Sequence, residues 1–258
     1  MIGVDFGASY ADAVLLRNGR IVKRFFMPSS KCKLSHLERA FGKLLETEKI
    51  FVVSKSDARV TSLERKYGAK RINEIDAIAR GARFLCKWDN MLVVNVGTGT
   101  PFVFVNGKKH SHLGGTGIGG GTLEGLAKLL LGLKPSQLET VASKNSTADL
   151  LVFDVVGKRI GSIPSDATAS NFGKVARKKP KKGEIATSLL RLVSESIGIM
   201  SVFAAKSCGC KRILFTGRVV AKNKTIRERL KLVMKIFNCE MKVPKDAEYC
   251  TAIGAALC

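Results

Sequence analysis

The run Gly114-Gly115-Thr116-Gly117-Ile118-Gly119-Gly120-Gly121-Thr122 leads without a break into Leu123-Glu124-Gly125-Leu126-Ala127-Lys128-Leu129-Leu130-Leu131. A glycine-dense loop opening an apolar helix reads as an anion site. Backbone without Cβ atoms can approach a phosphate closely and take up positive φ. The first free N–H groups of the helix, together with its dipole, favour negative charge at that point. A mobile turn or a tight packing contact is the plainer alternative, but so many glycines in a bare connector would cost too much chain entropy. The run is therefore expected to be a phosphate-binding loop.

A second such turn stands at the start of the chain. Apolar and β-branched residues flank Gly7-Ala8-Ser9 on both sides and read as two strands of a hairpin. Arg17-Asn18-Gly19-Arg20 turns into a third strand, Ile21 to Met27. Asp5 then ends a buried strand facing a small-residue turn. It can hold a hydrated magnesium ion while the turn amides take phosphate oxygens, or it can simply cap the turn. The pattern recurs: Met91 to Asn95, the turn Gly97-Thr98-Gly99-Thr100, then Phe102 to Val105 before Asn106-Gly107. Two such hairpins suggest two similar half-molecules clasping one nucleotide, and in this the chain resembles the superfamily of sugar kinases, actin and chaperone ATPases.

More closely, the sequence resembles the type II pantothenate kinases. The matching stretches run in order: Gly3-Val4-Asp5-Phe6-Gly7, Asn73-Glu74-Ile75-Asp76-Ala77-Ile78, Asn95 to Thr100, Gly114 to Leu126, Ser165 to Gly173, and Thr251-Ala252-Ile253-Gly254-Ala255-Ala256. The resemblance implies an α/β chain of two ribonuclease-H-like lobes, an actin-like ATPase fold with the nucleotide in the cleft between them. It implies transfer of the γ-phosphate of ATP, with Mg2+, to the primary hydroxyl of pantothenate or a pantetheine-like acceptor, at the start of coenzyme A synthesis. Glu74 takes the role of general base. Nucleotide contacts fall to Gly7, Ala8, Ser9, Tyr10, Ala11 and Asp12, to Thr98, to Gly120, Gly121, Thr122, Leu123 and Glu124, and to Ser136, Gly217 and Arg218. Thr98, His112 and Asn171 are assigned to substrate, and Asp5 to the metal. The residues alone allow the role of Glu74: Ile72, Ile75, Ile78, Ala82 and Leu85 recur at helical spacing, which sets Glu74 in a first turn just off the buried face, where a carboxylate is favoured.

Three positions depart from the family pattern. Asp12 stands where a lysine follows the first phosphate turn, His112 where an arginine binds substrate, and Pro101 where a small hydroxyl residue follows the second turn. Neutral imidazole cannot give the forked, permanently charged contact that a carboxylate prefers. Lys108 and Lys109 are local candidates to supply a missing cation, and Arg218 a remote one. Two other readings stand beside the kinase. One is a nucleotide-driven activator or regulator on the same scaffold, although Ser111-His112-Leu113 has no cysteine where the iron–sulfur dehydratase activators place one. The other is a kinase for an amino sugar.

The 258 residues suffice for two small lobes, expected as 1–88 and 89–258. No apolar run is expected to span a bilayer, and the absence of a leader at the first strand points to the cytoplasm. Seven scattered cysteines read as thiols rather than a disulfide framework, and Cys208-Gly209-Cys210 lacks a second pair for a metal. A net charge of +23 would attract polyanions. Aromatics do not interleave with its densest cluster, Arg177 to Lys182, so nucleic acid is not the expected partner. Helices are expected at Leu34 to Leu45, Glu184 to Lys206, Thr225 to Phe237 and from Ala247. Strands are expected at Ile50 to Val53, Leu150 to Val156, Ile213 to Thr216 and Glu240 to Val243, with a loop at Ser54-Lys55-Ser56-Asp57. The long Glu184 helix has apolar surface to spare, and type II pantothenate kinases pair through such helices, so a homodimer is expected.

Overall fold

A computed structural model describes residues 1–53 and 57–258; Ser54, Lys55 and Ser56 of the expected loop lie outside the described residues. The first sheet is built from β1 (Ile2–Phe6), β2 (Tyr10–Arg17) and β3 (Arg20–Pro28), an antiparallel meander, with β4 (Ile50–Val53) and β5 (Lys70–Arg71) added in parallel. Helices α1 (Leu34–Phe41), α2 (Leu44–Thr47), α3 (Ala58–Tyr67) and α4 (Glu74–Leu85) accompany it. The second sheet repeats the plan. β6 (Asn90–Asn95), β7 (Thr100–Asn106) and β8 (Lys109–Thr116) form a meander. Later strands β11 (Arg212–Thr216) and β12 (Glu240–Lys242) join in parallel beside β6. Between β8 and β11 come α5 (Gly120–Leu131), α6 (Pro135–Val141), β9 (Leu150–Leu151), α7 (Val152–Val156), β10 (Thr168–Ser170) and α8 (Lys182–Ser207). The chain continues through α9 (Arg218–Lys222) and α10 (Lys224–Ile236) and ends on α11 (Cys250–Ala255). Strand orders β3-β2-β1-β4-β5 and β12-β11-β6-β7-β8 are one topology used twice, as the paired hairpins implied.

The buried strands are apolar on both faces because helices cover them. In the second half Leu92, Val94 and Phe215 meet Leu189, Leu190, Val193 and Ile197 of α8. In the first, Ile2, Val4 and Val52 meet Leu37, Val60 and Leu63. α4 and α11 lie between the two sheets. Ile78, Ala79 and Ala82 of α4 pack on Met91, Val93, Val103 and Val105, while Ala77 and Ala255 pack on Phe51 and Val53. Small residues let the two helices cross closely: a Cβ at Gly254 would fall 1.7 Å from the Ala77 carbonyl oxygen, and one at Gly81 1.9 Å from that of Cys250. Glycine in a helix interior costs stability against alanine, and this contact is its return.

Several expectations change. The helix foreseen from Leu34 to Leu45 breaks at Gly42, where φ is +54°. The apolar run Leu150 to Val156 is a two-residue strand followed by a helical turn, because the Asp154 carboxylate accepts from the Leu151 N–H at 2.8 Å and Gly157 closes the turn with φ +73°. Gly114 to Thr122 is not one loop: Gly114, Gly115 and Thr116 finish β8, and Gly120, Gly121 and Thr122 are the first turn of α5. Among the described residues one helix, α8, is long and apolar enough to cross a membrane, with mean hydropathy 1.4, contrary to the expectation that no run would be. Its length is spent on the core, against α5, α6 and α10.

Candidate active site

Both small-residue turns sit at strand ends that face each other. The first, between β1 and β2, is braced by Ser29, whose hydroxyl donates to the Gly7 carbonyl at 2.5 Å and whose N–H donates to the Ser9 carbonyl at 2.9 Å. The second, between β6 and β7, is closed by the Gly97 N–H donating to the Gly99 carbonyl at 3.0 Å. Ser9 and Thr98 join the two turns through their hydroxyls at 2.9 Å. Residues 89 positions apart are thus drawn together where the sequence placed two phosphate turns.

The glycine-rich segment closes on the second turn. Gly120 donates to the Gly97 carbonyl at 2.7 Å and Gly121 to the Thr98 carbonyl at 3.0 Å. The Thr122 hydroxyl accepts from the Gly119 N–H at 3.1 Å and donates to the Gly117 carbonyl at 3.0 Å. A Cβ at Gly119 would lie 2.6 Å from the Thr98 carbonyl oxygen. The expectation that the first helical amides stand free for a phosphate is corrected for Gly120 and Gly121. Their donors hold the second turn in place, and close backbone packing accounts for much of the glycine density. Leu123 has a buried side chain in the second core and an N–H that donates to the Gly119 carbonyl, so it has no donor to offer a ligand. Beyond Gly121 and Thr122 an open groove of about 840 Å3 follows α5 past Gly125, Leu126 and Leu129.

Carboxylates converge beneath the first turn. Asp5 and Asp12 are cross-strand neighbours on β1 and β2. Burial first, then the charges of Asp12 and Glu74, push Asp5 well above the usual carboxylate range, and a hydrogen bond from Thr251 works the other way. Burial likewise lifts Asp12 to about 6 against the pull of Arg218. Glu74 is exposed in the first turn of α4, which Asn73 caps by accepting from the N–H groups of Ile75 at 2.8 Å and Asp76 at 3.4 Å. The surplus of negative charge around Asp5 suits a divalent cation. No set of three side-chain ligands is assembled among the described residues, so Mg2+ here would rest on Asp5 together with phosphate oxygens and water.

The structure resolves the departure at Asp12. Its partner is Arg218, the first residue of α9, which sits against the rings of Tyr10, Phe26 and Tyr249. Lys108 and Lys109 lie instead at the β7–β8 turn, where Arg83 of the last turn of α4 donates to the Gly107 and Lys108 carbonyls at 3.3 Å. From that turn β8 passes α4: His110 meets Asp76 at 2.7 Å, and His112, exposed, lies two residues on along the same face of the strand. Gly217 donates to the Ala247 carbonyl at 2.9 Å, and the Val219 N–H reaches Val96 at 3.4 Å, which ties that loop beside the second turn. Ala11 is buried in the first core, while Ala8 and Glu124 are exposed. Ser136, exposed in the first turn of α6, and Asn171, after β10, form no hydrogen bond with the paired turns among the described residues. The Asn171 side-chain amide nitrogen is buried without a partner. Thr251, Tyr249 and Phe26 escaped the sequence reading. Thr251 lies in one of the stretches shared with the family, but only the fold brings it to Asp5.

A duplicated α/β unit with paired turns across a cleft defines a two-lobed, actin-like ATPase and sugar-kinase fold. Component A of (R)-2-hydroxyglutaryl-CoA dehydratase from Acidaminococcus fermentans superposes with a TM-score of 0.67 at 20% identity, over 99% of this chain and 95% of that one. A ROK family glucokinase from Streptomyces griseus, solved with glucose and AMPPNP, gives 0.64 at 14% identity, over 99% and 97%. The Fumble family model matches residues 88–258. A type II pantothenate kinase of Bacillus cereus is 31% identical over 209 residues, 76% of this chain and 74% of the relative. The chain belongs to the type II pantothenate kinase family.

Proposed function

We propose that this protein is an ATP-dependent kinase that phosphorylates the primary hydroxyl of pantothenate or a pantetheine-like acceptor, the first step of coenzyme A synthesis. The observation that carries this reading is the Ser9–Thr98 contact, which sets two turns against each other with the Glu74 and Asp5 carboxylates beside them. Residues 1–88 and 89–258 serve as the two lobes. Main-chain donors of Gly7, Ala8 and Ser9, with the Ser9 and Thr98 hydroxyls, bind and orient the terminal phosphates, and the groove beyond Gly121 and Thr122 takes the nucleoside end. Asp5 would hold Mg2+, whose charge would offset the charge developing on the transferring group. Glu74, free on a capped helix end, accepts the proton of the acceptor hydroxyl as the oxygen attacks, and His112 lines the acceptor side. Phosphoryl transfer asks the protein for position and charge rather than covalent chemistry, and turns pinned by Ser29 and by Gly120 and Gly121 are rigid enough to give it. Exposed apolar residues Ile199 and Phe203 on α8, with Leu130 on α5, support pairing of two copies.

ADP release measured with pantothenate, pantetheine and N-substituted pantothenamides tests the reading. Turnover should require an acceptor and fall by about 10²-fold or more in Glu74→Gln, with nucleotide affinity little changed. Acceptor-independent release, equal in both proteins, would remove the kinase reading.

A further inference from the structure

Asp12 and Arg218 come from opposite lobes, 206 residues apart, and meet as an ion pair between Asp12 Oδ1 and Arg218 Nη2 with side chains only 11% and 15% exposed. The guanidinium carbon lies 4.7 Å from the ring centres of Tyr10 and Phe26 and 5.9 Å from that of Tyr249. Tyr10 and Asp12 share one face of β2, and Phe26 opposes Asp12 on β3. Most of this cage is therefore a single face of the hairpin that leaves the first turn. Aromatic rings cover the faces of a guanidinium and leave its N–H groups to be satisfied in plane. Asp12 takes Nη2; Arg218 Nε is buried and has no hydrogen-bond partner. A buried, unmet donor on a permanent cation is costly, and its natural complement is an anionic acceptor that arrives with a ligand. Asp5 faces Asp12 across β1 and β2, so the ion pair sits at the strand ends just below the first turn.

We propose that Asp12 is a positioning residue, which draws Arg218 of the second lobe into the aromatic cage of the first so that its guanidinium grips the terminal phosphate of bound nucleotide. The proposal rests on the nucleotide reading given above and adds to it the source of the cation. Asp12 does not touch the nucleotide; it fixes the arginine that does. A planar fork held from behind by a carboxylate presents its remaining N–H groups to phosphoryl oxygens at little entropic cost.

Calorimetric binding of Mg2+–AMPPNP and of Mg2+–ADP to the full chain tests this. Asp12→Asn and Arg218→Met should each weaken AMPPNP by roughly tenfold or more and ADP far less, since only the former carries the terminal phosphate. The double variant should bind no worse than Arg218→Met, because Asp12 acts through Arg218. Should Asp12→Asn not fold, Arg218→Lys, which keeps the charge without the planar fork, should weaken AMPPNP more than ADP. Equal losses for both nucleotides, or losses that multiply in the double variant, would each overturn the proposal. A wild-type protein that binds neither nucleotide would instead overturn the nucleotide reading itself.

Discussion

Asp57 links the rim of the first lobe to the phosphate turn through Arg59 and Ser29. It caps α3 by accepting from the Arg59 N–H at 2.8 Å and pairs with the Arg59 guanidinium, whose Nε lies 2.9 Å from Oδ1. Arg59 in turn lies 4.4 Å over the Phe6 ring and donates to the Ser29 carbonyl at 3.1 Å, and Ser29 braces Gly7. The hydrogen bond from Arg59 holds the Asp57 carboxyl below the usual carboxylate range. A depressed folded-state value contributes stability above the unfolded pKa of about 3.9, and that contribution is lost as pH falls through the folded value. Asp57→Asn should therefore cost on the order of 1 kcal/mol near pH 7 and nothing once the carboxyl is protonated in both states. Thermal unfolding at pH 7 and in that acid limit checks this; an equal loss at both would assign the effect to the cap rather than the charge. At this scale the sequence was legible where chemistry is local. The strand end at Asp5, the helix start at Glu74 and the turn at Thr98 were legible in local patterns, while the roles given to these residues came from the family resemblance. Arg218 was named only as one remote candidate cation, not as the partner of Asp12, because nothing within a few residues of either encodes a contact across 206 positions.

Helices and strands were foreseen where one period dominated and misjudged where capping decided the outcome. α8 and α10 were within two residues of their observed ends. Leu150 to Val156 has the composition of a strand, yet the Asp154 cap and Gly157 turn it into a helical segment. The glycine run was divided between β8 and α5 by hydrogen bonds to the Gly97 and Thr98 carbonyls, residues that the run does not contain. Two glycines in helices should respond oppositely to the same methyl group. Gly254→Ala should lower stability by about 1–3 kcal/mol or more, since the α4–α11 crossing has no space for it. Gly125→Ala meets nothing within 4 Å and should raise stability by about 0.5–1 kcal/mol through helix propensity. Denaturant midpoints of the two variants decide, and a stabilised Gly254→Ala would contradict the close crossing.

Across the whole molecule the duplicated topology was legible from two hairpins with similar turns. The roles of α4 and α11 as a shared layer between the sheets were not, since that needs both sheets in place. Pairing of two copies belongs to this scale as well. Phe203 on α8 is 58% exposed and Ile199 38%. Sedimentation of the wild type should give twice the mass of 27.9 kDa, and Phe203→Asp should shift it to the single mass without loss of the thermal transition. A wild-type protein that sediments as one copy at micromolar concentration would end the dimer proposal.

The position of α11 has a consequence for how the chain is made. Val14, Leu16, Phe51 and Val53 are covered by residues between Tyr249 and Ala256. A ribosome that has released β4 must add about 200 more residues before that cover arrives, roughly 10–40 s at about 5–20 residues per second. Through that interval the nascent first lobe carries an open, greasy seam, a ready handhold for a chaperone. Synthesis through Ala255, rather than emergence of β1 to β5, is then the moment at which the lobe can close over its own core.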